Sequence, residues 1–194
     1  MLAALEYDPH HSYAAPEHIA MTNVRFPVAI LIERVPLANR WVSEQWKVAA
    51  VVPDSASAAP PRKLVDDATR TQWYVTGHCI ELNHTESEGY YLNLSSPQPK
   101  VFVMWRSPES DGIAGDDVAA ELKLRPHVVT VSYNEAGRLL DGGEHVDAVP
   151  MPPEVFAWME PFVIEHYKPE PKRKVRRNPL YEDGKSAPPV KTGT

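Results

Sequence analysis

The residues best suited to chemistry are two histidines and a cysteine. They sit in Gly77-His78-Cys79-Ile80-Glu81-Leu82-Asn83-His84, and imidazole and thiolate are both zinc ligands. His78 and His84 share strand parity, yet six residues of extended chain span ~20 Å. That is too far for one ion unless the strand turns. The expected reading is a strand whose polar residues face solvent, with Cys79 acting as a small apolar side chain. His10, His11 and His18 lie in an unpatterned stretch where nothing fixes them. Cys79 has no basic neighbour in the chain to activate it. As the single cysteine, it makes neither an internal disulfide nor a four-cysteine zinc site. No Gly-x-Ser-x-Gly elbow, Gly-x-Gly-x-x-Gly loop or Walker motif occurs. No catalytic residue, metal or cofactor is therefore expected.

The strongest local signal is basic: Lys172-Arg173-Lys174-Val175-Arg176-Arg177. Residues 168–194 hold eight basic and three acidic side chains, a net of +5; the whole chain carries −6, which leaves −11 on the preceding residues. Such a run grips nucleic acid, anionic lipid or an acidic protein groove. An acidic body repels phosphate, so a protein partner is expected. The partner-binding set is Lys172, Arg173, Lys174, Arg176 and Arg177, with Tyr181 among its apolar anchors. Five tryptophans, with Tyr74, Tyr90 and Tyr91, form a rich aromatic set. Exposed on a basic sheet they would stack bases; in an acidic body they are assigned to the core, with one or two at a protein interface. A ligand pocket, if present, would draw on Arg106, His127 and Tyr133.

These groups must be positioned by a fold, and the pattern suggests mostly strands. Val24, Phe26, Val28, Ile30 and Ile32 fall on one face, with Arg25, Ala29 and Glu33 opposite, the period of a strand. Further strands are predicted at 46–52, 72–83, 90–94, 100–106, 127–133 and 145–149, with a loop over 53–63, a turn at 134–137 and a short helix at 117–122. Val155, Trp158, Met159, Phe162, Val163 and His166 fall on one helical stripe. Pro152 and Pro153 suit the first turn of that helix, and Pro161 inside it should kink it, because its ring clashes with the carbonyl of Ala157. The expected fold is mainly β, of the α+β kind: a small curved antiparallel sheet or partly open barrel closed by a C-terminal helix over 152–167. One domain, 23–167, is flanked by a disordered segment 1–22 and a basic, proline-containing tail 168–194. Patterned sequence begins at Val24, which leaves Met21 as an alternative start to Met1.

Length and composition set the outer limits. At 194 residues the chain suits one domain plus tails. Its 43% apolar residues suffice for a core, and its 20 prolines against 9 glycines favour stiff connections. No stretch is long and apolar enough for a membrane span. The N-terminus has no basic region followed by an apolar one, so export is not expected and a cytoplasmic location is.

The two ends of the predicted domain resemble a known family. Phe26-Pro-Val-Ala-Ile-Leu-Ile-Glu-Arg-Val-Pro-Leu-Ala-Asn-Arg-Trp-Val-Ser-Glu-Gln-Trp-Lys-Val-Ala-Ala-Val is similar to the opening of domain-of-unknown-function family 3305. Val149-Pro-Met-Pro-Pro-Glu-Val-Phe-Ala-Trp-Met-Glu-Pro-Phe-Val-Ile-Glu-His-Tyr and the Lys/Arg cluster resemble its end. That family lies in proteobacterial gene clusters for molybdenum or tungsten formate dehydrogenases. The resemblance thus implies a non-catalytic accessory protein or small subunit of such an enzyme, docking on its catalytic or iron–sulfur subunit through the sheet and the basic tail. The alternative it implies is a small-ligand or molybdopterin-cofactor-binding carrier barrel acting in maturation. A guanylyltransferase role, a label some members carry, would need the Gly-rich nucleotide loop that this sequence lacks.

Overall fold

The computed structural model describes residues 24–108 and 121–169. The segment 1–22, the basic cluster 172–177 with Tyr181, and most of the helix expected at 117–122 lie outside the described residues.

Strand β1 (Val24–Pro36) runs back through a hairpin into β2 (Glu44–Pro53). After a loop come β3 (Arg62–Asp66) and β4 (Thr71–Leu82). A single 3-10 turn, His84–Glu86, then leads into helix α1 (Ser87–Leu94). Next are β5 (Lys100–Arg106), β6 (Arg125–Thr130), α2 (Tyr133–Asp141), β7 (His145–Pro150) and α3 (Pro153–His166). Two antiparallel sheets result, ordered β2-β1-β4-β3 and β6-β5-β7. The fold is therefore mainly β, with a C-terminal helix as expected, but among the described residues no closed barrel forms. β2 lies beside β7 and β4 beside β6, without a ladder at either seam. At the first seam, the Asp147 carboxylate accepts a hydrogen bond from the Val48 amide at 2.7 Å, replacing one missing ladder partner. No helix among the described residues is long and apolar enough to cross a membrane.

The core lies between the sheets. Val28, Ile30, Ile32, Trp73, Ile80 and Leu82 from one sheet meet Val101, Val103, Val129 and Val149 from the other, with Val131 just past β6. In β1, Val28, Ile30 and Ile32 are buried as read from its sequence, and Ala29, opposite the bulge of β4, is buried as well. β4 breaks its alternation. Val28 pairs with His78 and Ile30 with Val75, so Ala29 faces two residues, Thr76 and Gly77. This bulge switches the buried parity from Trp73 and Val75 to Ile80 and Leu82. Gly77 has φ +84, and a Cβ there would lie 2.5 Å from the Cβ of Ala58. Both the bulge and the close approach of the 54–61 loop thus require glycine.

Three expectations are corrected. Residues 90–94 are not a strand but the end of α1, whose buried residues Ser87, Gly89, Tyr90 and Asn93 follow helical spacing. Residues 134–137 are not a turn but part of α2. Ser132 caps that helix, its Oγ accepting from the Glu135 amide at 3.1 Å. Ser132 followed by Glu135 is a capping signature that the Asn and Gly of the segment obscured. Part of the expected loop is strand β3, an edge strand with charged residues on it. In α3, the stripe holds for Val155, Met159, Phe162 and Val163, while Trp158 is only partly buried, with its ring 5.0 Å from that of Phe26. The helix continues through the exposed Pro161 to His166.

Candidate functional site

The bulge at Gly77 decides which side chains reach the seam between β4 and β6. Past it, His78 falls on the side of Ile80 and Leu82, and Cys79 and Glu81 fall on the other. A cleft of about 330 Å³ opens at this seam. Gly77, His78, Cys79 and Glu81 of β4 line one bank; His127, Val128 and Val129 of β6, with Glu135 of α2, line the other. Burial depresses the His78 imidazole below its ordinary value, and the charge of His127 across the cleft adds to the effect. Both carboxylates are engaged. Glu135 accepts from the Thr130 hydroxyl at 2.5 Å, and Glu81 pairs with Arg25 at 2.8 Å.

Cys79 has a basic neighbour after all. Arg25, opposite Glu81 on β1, donates to Cys79 Sγ at 3.0 Å. That hydrogen bond, then the charges of Cys79 and Glu81, raise the pKa of this exposed guanidinium. Strand pairing brings together residues 54 apart in sequence, which is why spacing along the chain gave no signal.

The residues expected to share a pocket are not brought together. Only His127 lines the cleft. Arg106, at the end of β5, makes a two-pronged ion pair with Glu144; hydrogen bonding from Arg106 holds the Glu144 carboxyl below its usual range. Tyr133 opens α2, with its ring 5.1 Å from that of Phe102. His78 and His84 are likewise separated. His84 lies in the 3-10 turn, its ring 4.1 Å from that of His166 and 5.3 Å from that of Phe162. Among the described residues no group of three or more His, Cys, Asp or Glu could hold a metal ion.

The other candidate surface lies where α1 meets α3. Tyr91 stacks on Tyr167, with ring centroids 4.5 Å apart. Ile164, 75% exposed, sits three residues before Tyr167 and so shares its side of the chain. Leu92 is exposed on α1 beside Tyr91. The described chain ends just past this patch, at Pro169, three residues before the basic cluster begins.

The depressed His78 imidazole makes stability acid-sensitive. A group that binds its proton less tightly when folded contributes fully above its unfolded value, near 6.5. That contribution is lost as pH falls below it. Urea midpoints measured at pH 7.5 and 5.5 should therefore differ more for wild type than for His78→Gln. Equal acid losses in both would assign the sensitivity to other groups.

The family described as "Protein of unknown function (DUF3305)" matches residues 27–176. No curated protein and no solved structure matches the chain.

Proposed function

We propose a docking role for this chain, which belongs to the DUF3305 family of proteins of unknown function. In this reading it is a non-catalytic accessory protein or small subunit of a molybdenum or tungsten formate dehydrogenase. It sits on the catalytic or iron–sulfur subunit, and its basic tail lies along an acidic surface of that partner. The observation that carries the reading is the Tyr91–Tyr167 stack with exposed Ile164, at the root of a segment bearing five basic residues. Apolar and aromatic side chains next to an arginine-rich segment combine the anchors and charge-assisted donors that protein interfaces use.

The test is binding to a purified molybdenum or tungsten formate dehydrogenase from the same host. Lys172, Arg173, Lys174, Arg176 and Arg177 changed together to Ser should weaken binding, more at low salt than at high. Ile164→Ser should weaken it at both. Neither change should move the melting temperature of the free protein. Unaltered affinity in both variants, or no affinity in wild type, would end the formate dehydrogenase reading.

A second reading, a carrier for a small ligand or pterin cofactor, is favoured by the cleft at the β4–β6 seam. Its volume of about 330 Å³ and two facing imidazoles suit a small polar molecule.

A further inference from the structure

Trp41 is 84% exposed and its neighbour Val42 50% exposed, at the apex of the β1–β2 hairpin. An indole this bare leaves a large apolar surface in water, the opposite of what folding alone favours. Hydrogen bonds nonetheless constrain the backbone of the apex. The Leu37 amide donates to the Ser43 carbonyl at 2.9 Å and closes the loop. The Asn39 side-chain oxygen accepts from the Trp41 amide at 2.9 Å. The Arg40 guanidinium lies 5.3 Å from the centre of the Trp41 ring. Below the apex, the two strands stay paired down to Val28 and Pro53.

We propose that this hairpin tip is a docking finger: Trp41 enters an apolar slot on a protein partner, and Arg40 pairs with carboxylates at the rim of that slot. Trp and Arg are the residues most enriched at energetic centres of interfaces. An indole on a hydrogen-bonded turn loses little conformational freedom on binding. The charge at the tip selects the partner. Among the described residues Arg40 makes no ion pair, whereas Glu44 at the root of the tip is engaged by Lys123 at 2.6 Å and Trp46 Nε1 at 3.0 Å. The apex thus presents one unpaired cation beside its apolar side chains, and an acidic rim complements it. A lipid surface fits less well, because one Trp and one Val offer a small insertion area and the −11 body is repelled by anionic headgroups. The inference rests on the chain being a docking protein, not on which protein it docks to.

A photo-crosslinking amino acid in place of Val42, in the full chain in its native host, tests this directly. We expect one discrete protein adduct, absent when the crosslinker is placed at exposed Asp141. Mass spectrometry should locate the crosslink beside Asp or Glu residues of the partner. Trp41→Ser in the same chain should lower the yield about 10-fold, with an unchanged melting curve, and Arg40→Gln should lower it less. Adducts only to lipid or to a second copy of the chain, no adduct at all, or a yield indifferent to Trp41→Ser would each overturn the proposal. An adduct to a protein outside the formate dehydrogenase would refute that assignment while leaving the finger intact.

Discussion

Asn93→Ala is expected to destabilise the fold by roughly 3–5 kcal/mol, because it orphans three backbone groups at once. Asn93 is fully buried in α1. Its Nδ2 donates to the carbonyls of Lys100 and Val131, each at 2.7 Å. Its Oδ1 accepts from the Lys100 amide at 2.9 Å. One side chain thereby ties α1 to the start of β5 and to the segment that leaves β6. An unsatisfied buried group costs about 1–3 kcal/mol, and water has little room to replace a fully buried amide. Asn93→Asp keeps the acceptor for Lys100 but turns an oxygen toward two carbonyls, so it should also be strongly destabilising. Urea unfolding measures both. A loss under about 1 kcal/mol in the alanine variant would mean that solvent satisfies the site.

Trp73→Ala is the second large effect, again roughly 3–5 kcal/mol, through the cavity left by a buried ring. Trp73 is 1% exposed and stacks on Trp46 with centroids 4.9 Å apart. Its Nε1 is buried without a hydrogen-bond partner among the described residues. Trp73→Phe should therefore cost much less than Trp73→Ala, since it removes an unsatisfied donor along with part of the ring. Trp158→Ala, at a partly buried position, should also cost less. Thermal melts of the three variants give the order. A Phe variant as unstable as the Ala variant would show that the indole nitrogen does have a partner.

Some of this fold is legible without coordinates because each element must bury its own face. The period of two in β1 and the stripe in α3 are set within a few residues by which side chains avoid water. The fold class followed from those patterns. Local pattern failed where local preference and long-range need disagree. Tyr90, Tyr91 and Leu92 read as a strand, but they belong to α1, from which Asn93 bonds β5 and the segment that leaves β6. Gly89 packs so closely that a Cβ there would lie 2.2 Å from Ser132 Oγ.

The candidate site was less legible still. A strand read without its partner gives no sign that one residue of β4 is extra, since a bulge exists only relative to the register of β1. That one residue turns His78 inward, sets Cys79 beside Arg25 and opens a cleft to His127. Arg106, a polar group expected in the same pocket, is instead claimed by Glu144. The sequence by itself determined the types of most elements, the acidic body and the basic tail, because composition and period are local quantities. The tertiary structure alone decided which titratable groups face one another across the seam, and that Trp41 stands in solvent rather than in the core, because both depend on pairings between residues far apart in the chain.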